Sequence, residues 1–324
     1  MKVETIAVLT SGGDAPGMNT CVRAVVRSAC AYKMKVIAVK NGLQGLIDGD
    51  FKEFGARDVA GIVHKGGTIL GTARSKEFRT KRGRKKAAKN IQNAGIDALV
   101  IIGGDGSFRG GYELNKDFGI PFVGLPGTID NDMYGTDFTI GFDTAVNTAV
   151  DAIDKIRDTA ESHHRLFFVE VMGRHSGAIA VEAAIAGGAE LALIPEVTTD
   201  IDALANSIVA QKKAGKKSAI IIVAEGDDAG SATEISDKVY KLIGFKGKVC
   251  VLGHIQRGGH PSARDRVLAS RLGIAAVKTL KSGKSNVLVG EIKGDTALTP
   301  VTTVVRKKKK ADMKKERFVR LLGT

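Results

Sequence analysis

Short apolar segments typical of β-strands alternate along the chain with segments long enough to form helices. This alternation restricts the possible folds more than any other feature of the sequence. Each apolar segment is followed within a few residues by Gly or Pro, and the spacings supply the crossover of at least ten residues that parallel strands require. The pattern predicts an α/β fold with parallel sheets covered by helices on both faces. The predicted strands are Thr5–Thr10, Lys35–Val39, Ala98–Ile102, Pro121–Leu125, Leu166–Val171, Leu191–Ile194, Ser218–Ala224, Val249–Leu252 and Asn286–Ile292.

Helix-compatible segments lie between these strands, and further features are expected near the end of the chain. Thr299-Pro300 suggests an N-cap followed by Pro at the first helical position. The run Arg306–Lys310 suggests a solvated helix end, because cations are favoured near a helix C-terminus. The predicted helices are Asn19–Tyr32, Phe108–Phe118, Asp143–Ser162, Ser176–Ala186, Ile201–Lys213, Ala263–Leu280 and Asp312–Leu322.

The net charge of +14 would suggest nucleic-acid binding if it were spread over the chain. Two short segments, 74–89 with net +8 and 306–320 with net +7, carry all of it, so the rest of the chain is close to neutral. Aromatic residues make up 5% of the chain, which leaves little to stack on bases. We therefore expect no nucleic-acid partner, and we interpret the dense cluster Arg79–Lys89 as a solvated helix face.

The length of 324 residues predicts about two domains. No apolar segment approaches the roughly 18 residues of a membrane span, and the start of the chain does not have the pattern of a signal peptide. We therefore expect a cytoplasmic protein without a membrane partner. The 40 glycines, about 12% against a typical 7%, indicate many tight turns or places where a ligand approaches the backbone closely.

Glycine-rich turns follow two of the predicted strands, where ligands of parallel sheets bind. Ser11–Gly17 follows the first strand and opens a helix, an arrangement that favours phosphate but differs from the GxGxxG and Walker A patterns. Gly103–Ser107 (GGDGS) combines glycines that let a polyphosphate approach with one carboxylate that can reach a phosphate-bound Mg²⁺. Each turn could instead be purely structural.

The turn Pro126–Asp132 (PGTIDND) carries the chemistry that a transferase needs. Asp130 and Asp132 can take up a proton and support a metal, while the hydroxyl of Thr128 can donate to a transferring phosphoryl group. Three later strands are followed by Arg174, Glu225 and His254, which can grip phosphate and accept from sugar hydroxyls. Together these turns predict a site for two phosphorylated ligands and a divalent cation.

These motifs resemble those of the bacterial-type ATP-dependent 6-phosphofructokinases. The resemblance runs from the first strand to about Arg271. It implies two Rossmann-like domains with discontinuous boundaries, residues 1–140 plus 254–305 for ATP and residues 141–253 plus 306–324 for fructose 6-phosphate. The motifs that carry it are Leu9–Asn19, Gly103–Ser107, Pro126–Asp132, Val169–Arg174 and Gly253–Gly259.

The resemblance implies a glycolytic kinase that is a homotetramer and takes ATP, Mg²⁺ and fructose 6-phosphate. Asp130 would remove the proton from the C1 hydroxyl, with Mg²⁺ near Asp105. The residues implied in catalysis are Asp130, Thr128, Arg74, Asp132 and Arg174. Those implied in ATP binding are Gly13, Arg74, Ser75, Gly104, Asp105, Gly106 and Ser107. Those implied in sugar-phosphate binding are Thr128, Ile129, Asp130, Arg165, Met172, Gly173, Arg174, Glu225, Lys248, His254 and Arg257.

Two features of this sequence refine the resemblance. In the family, Arg165 comes from a neighbouring subunit, and a second such arginine falls at Lys248 here, which keeps the charge but loses the planar fork. Pyrophosphate-using members tend to carry Asp at the position of Gly106 and Lys at that of Gly127, so glycine at both favours ATP. A pyrophosphate-dependent enzyme, another phosphosugar kinase and a non-catalytic nucleotide sensor remain as alternatives.

The resemblance also implies allosteric regulation. Arg23 and Arg27, four residues apart on a predicted helix, would share one face that suits a polyphosphate. Ala214, where relatives often have Lys, and a shift of about one place at Arg57 depart from the family pattern. The positions implied in effector binding are Arg23, Arg27, Arg57, Arg157, Gly188, Glu190 and Lys216.

Overall fold

A computed structural model describes residues 3–323 of the chain. Within these residues the chain folds into two compact units. The first comprises residues 3–129, 133–144 and 257–308, and the second comprises residues 130–132, 145–256 and 309–323. The chain therefore passes between the units several times, as a discontinuous two-domain organisation requires. None of the helices in the described part of the chain is long and apolar enough to span a membrane.

The helices and strands between residues 3 and 323 alternate along most of the chain. The strands are β1 Thr5–Ser11, β2 Lys35–Val39, β3 Phe51–Glu53, β4 Ala98–Gly103, β5 Phe122–Pro126, β6 Leu166–Val171, β7 Leu191–Leu193, β8 Ala219–Ala224, β9 Lys248–Val251, β10 Val287–Ile292 and β11 Asp295–Pro300. The helices are α1 Met18–Ala31, α2 Gly42–Asp48, α3 Lys81–Asn93, α4 Asp105–Phe118, α5 Phe142–His163, α6 Ala178–Ala186, α7 Ile201–Lys213, α8 Ala232–Ile243, α9 Ala263–Lys281, α10 Val301–Val304 and α11 Met313–Leu322.

The first unit contains a sheet with the strand order β11-β10-β5-β4-β1-β2-β3. The neighbours from β10 to β2 run parallel, while β3 and β11 are antiparallel edge strands. Every residue of β4 is buried, which requires cover on both faces of the sheet. Leu99, Ile101, Phe108 and Phe122 are fully or almost fully buried in this core.

The second unit contains an all-parallel sheet with the order β7-β8-β6-β9. Its core includes Phe168, Ile221 and Val239, contributed by two strands and α8. Helix α8 begins with a capping box in which Ser231 and Glu234 satisfy each other's backbone N–H groups. The predicted fold class, parallel sheets covered by helices, is therefore confirmed.

A buried carboxylate holds the start of α9 against the start of α5. Asp265 is 1% exposed and accepts hydrogen bonds from the backbone N–H groups of Gly141 at 2.9 Å and Thr144 at 2.8 Å. Burial raises the pKa of the Asp265 carboxyl above its usual range. These bonds hold the start of α9 in place within the first unit.

The expectations for the basic and terminal segments hold only in part. Pro300 ends β11 and occupies the N-cap position of α10, so the short helix starts at Val301, one residue later than Thr299-Pro300 predicted. An edge strand tolerates Pro because its N–H need not join the ladder. In the basic cluster of α3, Arg84 is buried and forms an ion pair with Asp117 at 2.7 Å. The other cations of this cluster are exposed. The segment Arg306–Lys310 contacts residues of the candidate site.

Candidate active site

The registers of β1, β4 and β5 bring three loops to one edge of the first sheet. Ser11 pairs with Gly103, and Gly103 pairs with Pro126, so the last residues of the three strands lie side by side. Each of these residues begins or directly precedes one of the motifs identified in the sequence. The parallel sheet thus places the two glycine-rich turns and the start of the PGTIDND loop next to one another, as their positions after strands predicted.

The first glycine-rich turn exposes its backbone. Gly12 and Gly17 have φ of 91° and 101°, in the left-handed region that favours glycine. A Cβ added at Gly13 would lie 2.4 Å from a guanidinium nitrogen of Arg257. That nitrogen, Nη1, donates to the carbonyl oxygen of Asp14 at 3.1 Å, so Arg257 lies directly against this turn.

The second glycine-rich turn opens α4 and has the form of a phosphate site. Asp105 is the first residue of the helix, and the N-cap Gly104 offers no side chain to its N–H groups. A Cβ at Gly103 would lie 2.3 Å from the carbonyl oxygen of Ser11, whereas a Cβ at Gly106 would meet nothing within 4 Å. The open space at Gly106 and the helix dipole together suit an anionic ligand.

The third loop, PGTIDND, carries the Thr128 hydroxyl and leads from the first unit to the second. The N–H of Gly127 donates to the carbonyl oxygen of Gly103 at 3.0 Å, which holds this loop beside the second turn. Thr128 is half-buried, and a Cβ on Gly104 would lie 3.6 Å from its Cβ. Ile129 is fully buried and anchors the loop, and the buried Asp130 follows it directly.

Two further residues implied in ATP binding lie between β3 and α3. Arg74 is exposed, and Ser75 is half-buried. The Ser75 hydroxyl donates to Oε1 of Gln44 at 2.6 Å and accepts from the N–H of Phe78 at 3.0 Å. These bonds fix the segment that carries the Arg74 guanidinium.

The basic segment Arg306–Lys310 is largely exposed, as its interpretation as a solvated helix end requires, but it also contacts the second and third loops. Helix α10 ends at Val304, before the run of cations begins. The Lys308 ammonium lies 3.2 Å from Oδ2 of Asp105. In the second unit, the Lys309 ammonium donates to Oδ1 of Asn131 at 3.2 Å. The backbone N–H of Lys309 donates to the carbonyl oxygen of Asp132 at 3.1 Å. Spacing in the sequence carries no signal for this contact, because it depends on the tertiary path.

The residues present fit a magnesium ion that is held mainly by a substrate. Among residues 3–323, no group of three or more His, Cys, Asp or Glu side chains could hold a metal ion. Mg²⁺ commonly binds one or two carboxylates and takes its other ligands from phosphates and water. Asp105, partly exposed and already paired with a cation, is a suitable single carboxylate.

The carboxyl ends of the second sheet gather the residues implied in sugar binding. Arg174 adopts φ 54°, and its N–H donates to Oε1 of Glu225 at 2.7 Å. A Cβ at Gly226 would lie 1.7 Å from the carbonyl oxygen of Arg174, so this approach requires glycine. Met172, Gly173 and Arg174 follow β6, Glu225 follows β8, and the exposed His254 follows β9.

Gln256 is a site residue that sequence reasoning missed. It is 0% exposed, and its Oε1 accepts from the N–H of Met172 at 2.9 Å. The bond fixes the backbone just before Gly173 and Arg174. Its place inside the motif Gly253–Gly259 was the one available signal.

Arg165 and Lys248 lie at the amino ends of strands β6 and β9, opposite the carboxyl ends that gather the other residues. Arg165 directly precedes β6, and Lys248 is the first residue of β9, where it pairs with Phe167. The six residues of β6, at about 3.3 Å each, separate this end from Met172 by roughly 20 Å. Within one chain, therefore, these two cations lie at the end of the strands opposite Met172, Gly173 and Arg174.

The positions implied in effector binding divide between the units. Arg23, Arg27 and Arg57 belong to the first unit. In the second, Arg157 donates to the carbonyl oxygen of Gly188 at 2.7 Å, and Lys216 lies 3.1 Å from Glu190. Glu190 is 5% exposed, so its carboxylate is largely committed within the unit.

Comparison with known proteins gives the same answer as the motifs. The profile of the phosphofructokinase family matches residues 5–280. The chain is 55% identical over 307 residues to the ATP-dependent 6-phosphofructokinase 1 of Thermus thermophilus, covering 95% of each protein. It is 52% identical over 308 residues to the ATP-dependent 6-phosphofructokinase of Cytophaga hutchinsonii, covering 95% of this chain and 94% of the relative.

Solved structures support the fold. The structure of the Pichia pastoris phosphofructokinase in the T-state matches 94% of this chain with a TM-score of 0.88 and 38% identity, and this chain spans 36% of its length. A pyrophosphate-dependent phosphofructokinase from Marinobacter aquaeolei matches with a TM-score of 0.85 but only 21% identity. The second similarity supports the fold alone.

Proposed function

The chain belongs to the phosphofructokinase family, and from this premise we propose that it transfers the γ-phosphoryl group of ATP to the C1 hydroxyl of fructose 6-phosphate. The products are fructose 1,6-bisphosphate and ADP. The observation that carries the proposal is the register of β1, β4 and β5, which aligns two phosphate-type turns with the start of the PGTIDND loop, the loop that carries Thr128 and continues to Asp130. The reaction is glycolytic, which implies a cytoplasmic location.

The first unit binds the nucleotide. Gly13, Gly104, Gly106 and Ser107 present backbone to the phosphates, and the α4 N-terminus adds its positive dipole end. Arg74 and Thr128 donate to the transferring phosphoryl group as negative charge develops on it. Asp105 would hold magnesium, which would neutralise charge on the donor phosphates.

The second unit binds the sugar phosphate, and Asp130 acts as the general base. Its carboxylate takes the proton of the C1 hydroxyl while O1 forms a bond to the γ-phosphorus. The bond from that phosphorus to the β–γ bridging oxygen breaks, and ADP leaves. Asp132 supports the metal region, and Arg174 stabilises the transferring group. The remaining sugar-phosphate contacts are assigned to Met172, Gly173, Glu225 and His254 of the second unit, and to Ile129 and Arg257, which belong to the first.

Arg165 and Lys248 act on the sugar phosphate of a neighbouring subunit. Their position at the amino edge of the second sheet, roughly 20 Å from Met172, supports this assignment. Each site is then completed by a second copy of the chain, in a homotetramer.

Donor choice tests the proposed function. A Cβ at Gly106 would meet nothing within 4 Å, which leaves room for the nucleotide phosphates, whereas a Cβ at Gly127 would lie 3.0 Å from Ile102, so the protein's own packing favours glycine there. In a coupled assay with fructose 6-phosphate, we expect turnover with MgATP and none above background with pyrophosphate. Activity with pyrophosphate alone would refute the assignment of ATP, and no phosphorylation of the sugar by either donor would refute the enzyme.

Lys248 tests the contribution of the neighbouring subunit. Because a charge-assisted contact to the 6-phosphate is lost, we expect Lys248→Ala to raise KM for fructose 6-phosphate about tenfold with little change in kcat. Lys248→Arg restores the fork and retains or lowers KM. Lys241→Ala, which removes an exposed lysine of α8, is the matched control. An unchanged KM in Lys248→Ala would remove this residue from the site.

We also assign an allosteric anion site to Arg23, Arg27, Arg57, Arg157, Gly188, Glu190 and Lys216. The cations among these residues suit ADP or phosphoenolpyruvate bound between subunits. The Lys216–Glu190 pair and the contact of Arg157 with Gly188 are local to the second unit and must rearrange if these cations bind a phosphate. This assignment stays a prediction.

A further inference from the structure

Lys308 is placed at the carboxylate that the proposed function assigns to magnesium. Its Nζ lies 3.2 Å from Oδ2 of Asp105, at the first residue of α4. The Lys308 ammonium therefore places a positive charge beside a turn of the kind that binds phosphate. None of the motifs that carry the family resemblance includes Lys308, because it lies beyond the segment that they cover.

The backbone around Lys308 is held in place by several contacts. Lys308 forms an antiparallel bridge with Met133, and Arg109 of α4 donates to the carbonyl oxygen of Val305 at 3.2 Å. Lys307 lies over the ring of Tyr134, with its ammonium 5.1 Å from the ring centroid. The segment therefore runs alongside the third loop. Because side chains alternate along an extended segment, Lys307 lies against Tyr134 and Lys308 lies against Asp105.

The backbone that carries Lys308 is held in place, but the two charged side chains of the ion pair are partly exposed to water. The Lys308 side chain is 55% exposed and the Asp105 side chain is 27% exposed. Pairs this exposed are worth little because water screens them, so a divalent cation can displace the lysine without a large loss. The flexible four-carbon stem then lets the ammonium move within the same small volume.

We propose that Lys308 is a further phosphate-binding residue of this site, paired with Asp105 in the ligand-free chain and with the donor's phosphates once magnesium takes the carboxylate. The inference rests on the proposed function, since it needs Asp105 as the metal ligand. The same lysine keeps Asp105 neutralised before the nucleotide arrives and adds a positive charge to the polyphosphate afterwards. Its role is binding and charge compensation.

The phosphate contact is tested by equilibrium nucleotide binding with the full-length protein. Lys308→Met is compared with Lys310→Met, which removes the same charge from the same segment. Lys310 is exposed and makes no hydrogen bond or ion pair in the described structure. With MgATP, we expect the Kd of Lys308→Met to rise about tenfold and that of Lys310→Met to change less than twofold. Lys308→Arg should recover most of the affinity.

The choice of nucleotide separates a phosphate contact from a structural defect. AMP has no β- or γ-phosphate, so its Kd should be unchanged in Lys308→Met if the lysine reaches the distal phosphates. An equal loss of AMP and ATP affinity would mean that the substitution disturbs the turn itself. Equal ATP affinities in Lys308→Met and Lys310→Met would overturn the proposal directly.

The pairing with Asp105 is tested with metal alone. Removing a competing cation should raise the affinity of the nucleotide-free protein for Mn²⁺, measured by electron paramagnetic resonance, about threefold or more in Lys308→Met. Unchanged or weaker Mn²⁺ binding would contradict the pairing. If the wild-type protein binds no ATP, the proposed function fails; if it binds ATP and the variants do not differ, only the role of Lys308 fails.

Discussion

Replacing Asp130 with serine is expected to lower kcat about 10³-fold, because general-base catalysis by a positioned carboxylate typically contributes 10²–10⁴-fold. The buried position of Asp130 directly after the anchored Ile129 holds the base in one place. Serine is small and uncharged, so it removes the proton acceptor without crowding the loop. The measurement is steady-state kinetics with saturating MgATP and fructose 6-phosphate.

KM values and stability serve as controls for the Asp130→Ser variant. Most contacts to both substrates come from residues other than Asp130, so KM for each should stay within a few-fold of the wild-type value. The thermal unfolding midpoint should also stay close to that of the wild type. A kcat within tenfold of the wild-type value, in a folded variant, would show that another group takes the proton.

Introducing a carboxylate at Gly106 is expected to lower kcat/KM for ATP about 10²-fold or more. A Cβ there would meet nothing within 4 Å, so Gly106→Asp fits the fold and places its charge in the space left for the nucleotide. Two like charges about 4 Å apart repel by about 4 kcal/mol at the effective dielectric of a protein surface. Stability should be retained, because an acid in the first turn of α4 suits the helix dipole.

Gly106→Asn is the matched control for charge at this position. It has almost the same shape as Asp but carries no charge, so it reports the steric part of the loss alone. We expect Gly106→Asn to retain at least tenfold more kcat/KM for ATP than Gly106→Asp. Equal losses would mean that crowding rather than repulsion selects the donor, and no loss in either variant would place the nucleotide elsewhere.

The main strands of both sheets could be predicted from the sequence because their signal is local. The predicted strands are present with ends shifted by about one residue at most, and β2 and β6 match fully. The edge strands β3 and β11 escaped prediction, since they are exposed and alternate without a long apolar run. Pro300 marked the start of α10 to within one residue, but its local preference gave no sign of the strand that it ends.

Side chains whose roles depend on tertiary paths could not be found from the sequence. Lys308 meets Asp105 only because the chain after α10 follows the third loop. Gln256 needs the neighbouring end of β6 before its buried amide has a partner. Arg165 and Lys248 are assigned to the phosphate by resemblance, and only strand direction places them at the edge opposite Arg174.

A crystal structure with fructose 6-phosphate, magnesium and a non-hydrolysable ATP analogue tests the central claim most directly. We predict a carboxylate oxygen of Asp130 within about 3 Å of the sugar's O1, and Asp105 beside the metal directly or through one water. A complex in which Asp130 turns away from the sugar and Asp105 is remote from the metal would contradict the proposed mechanism.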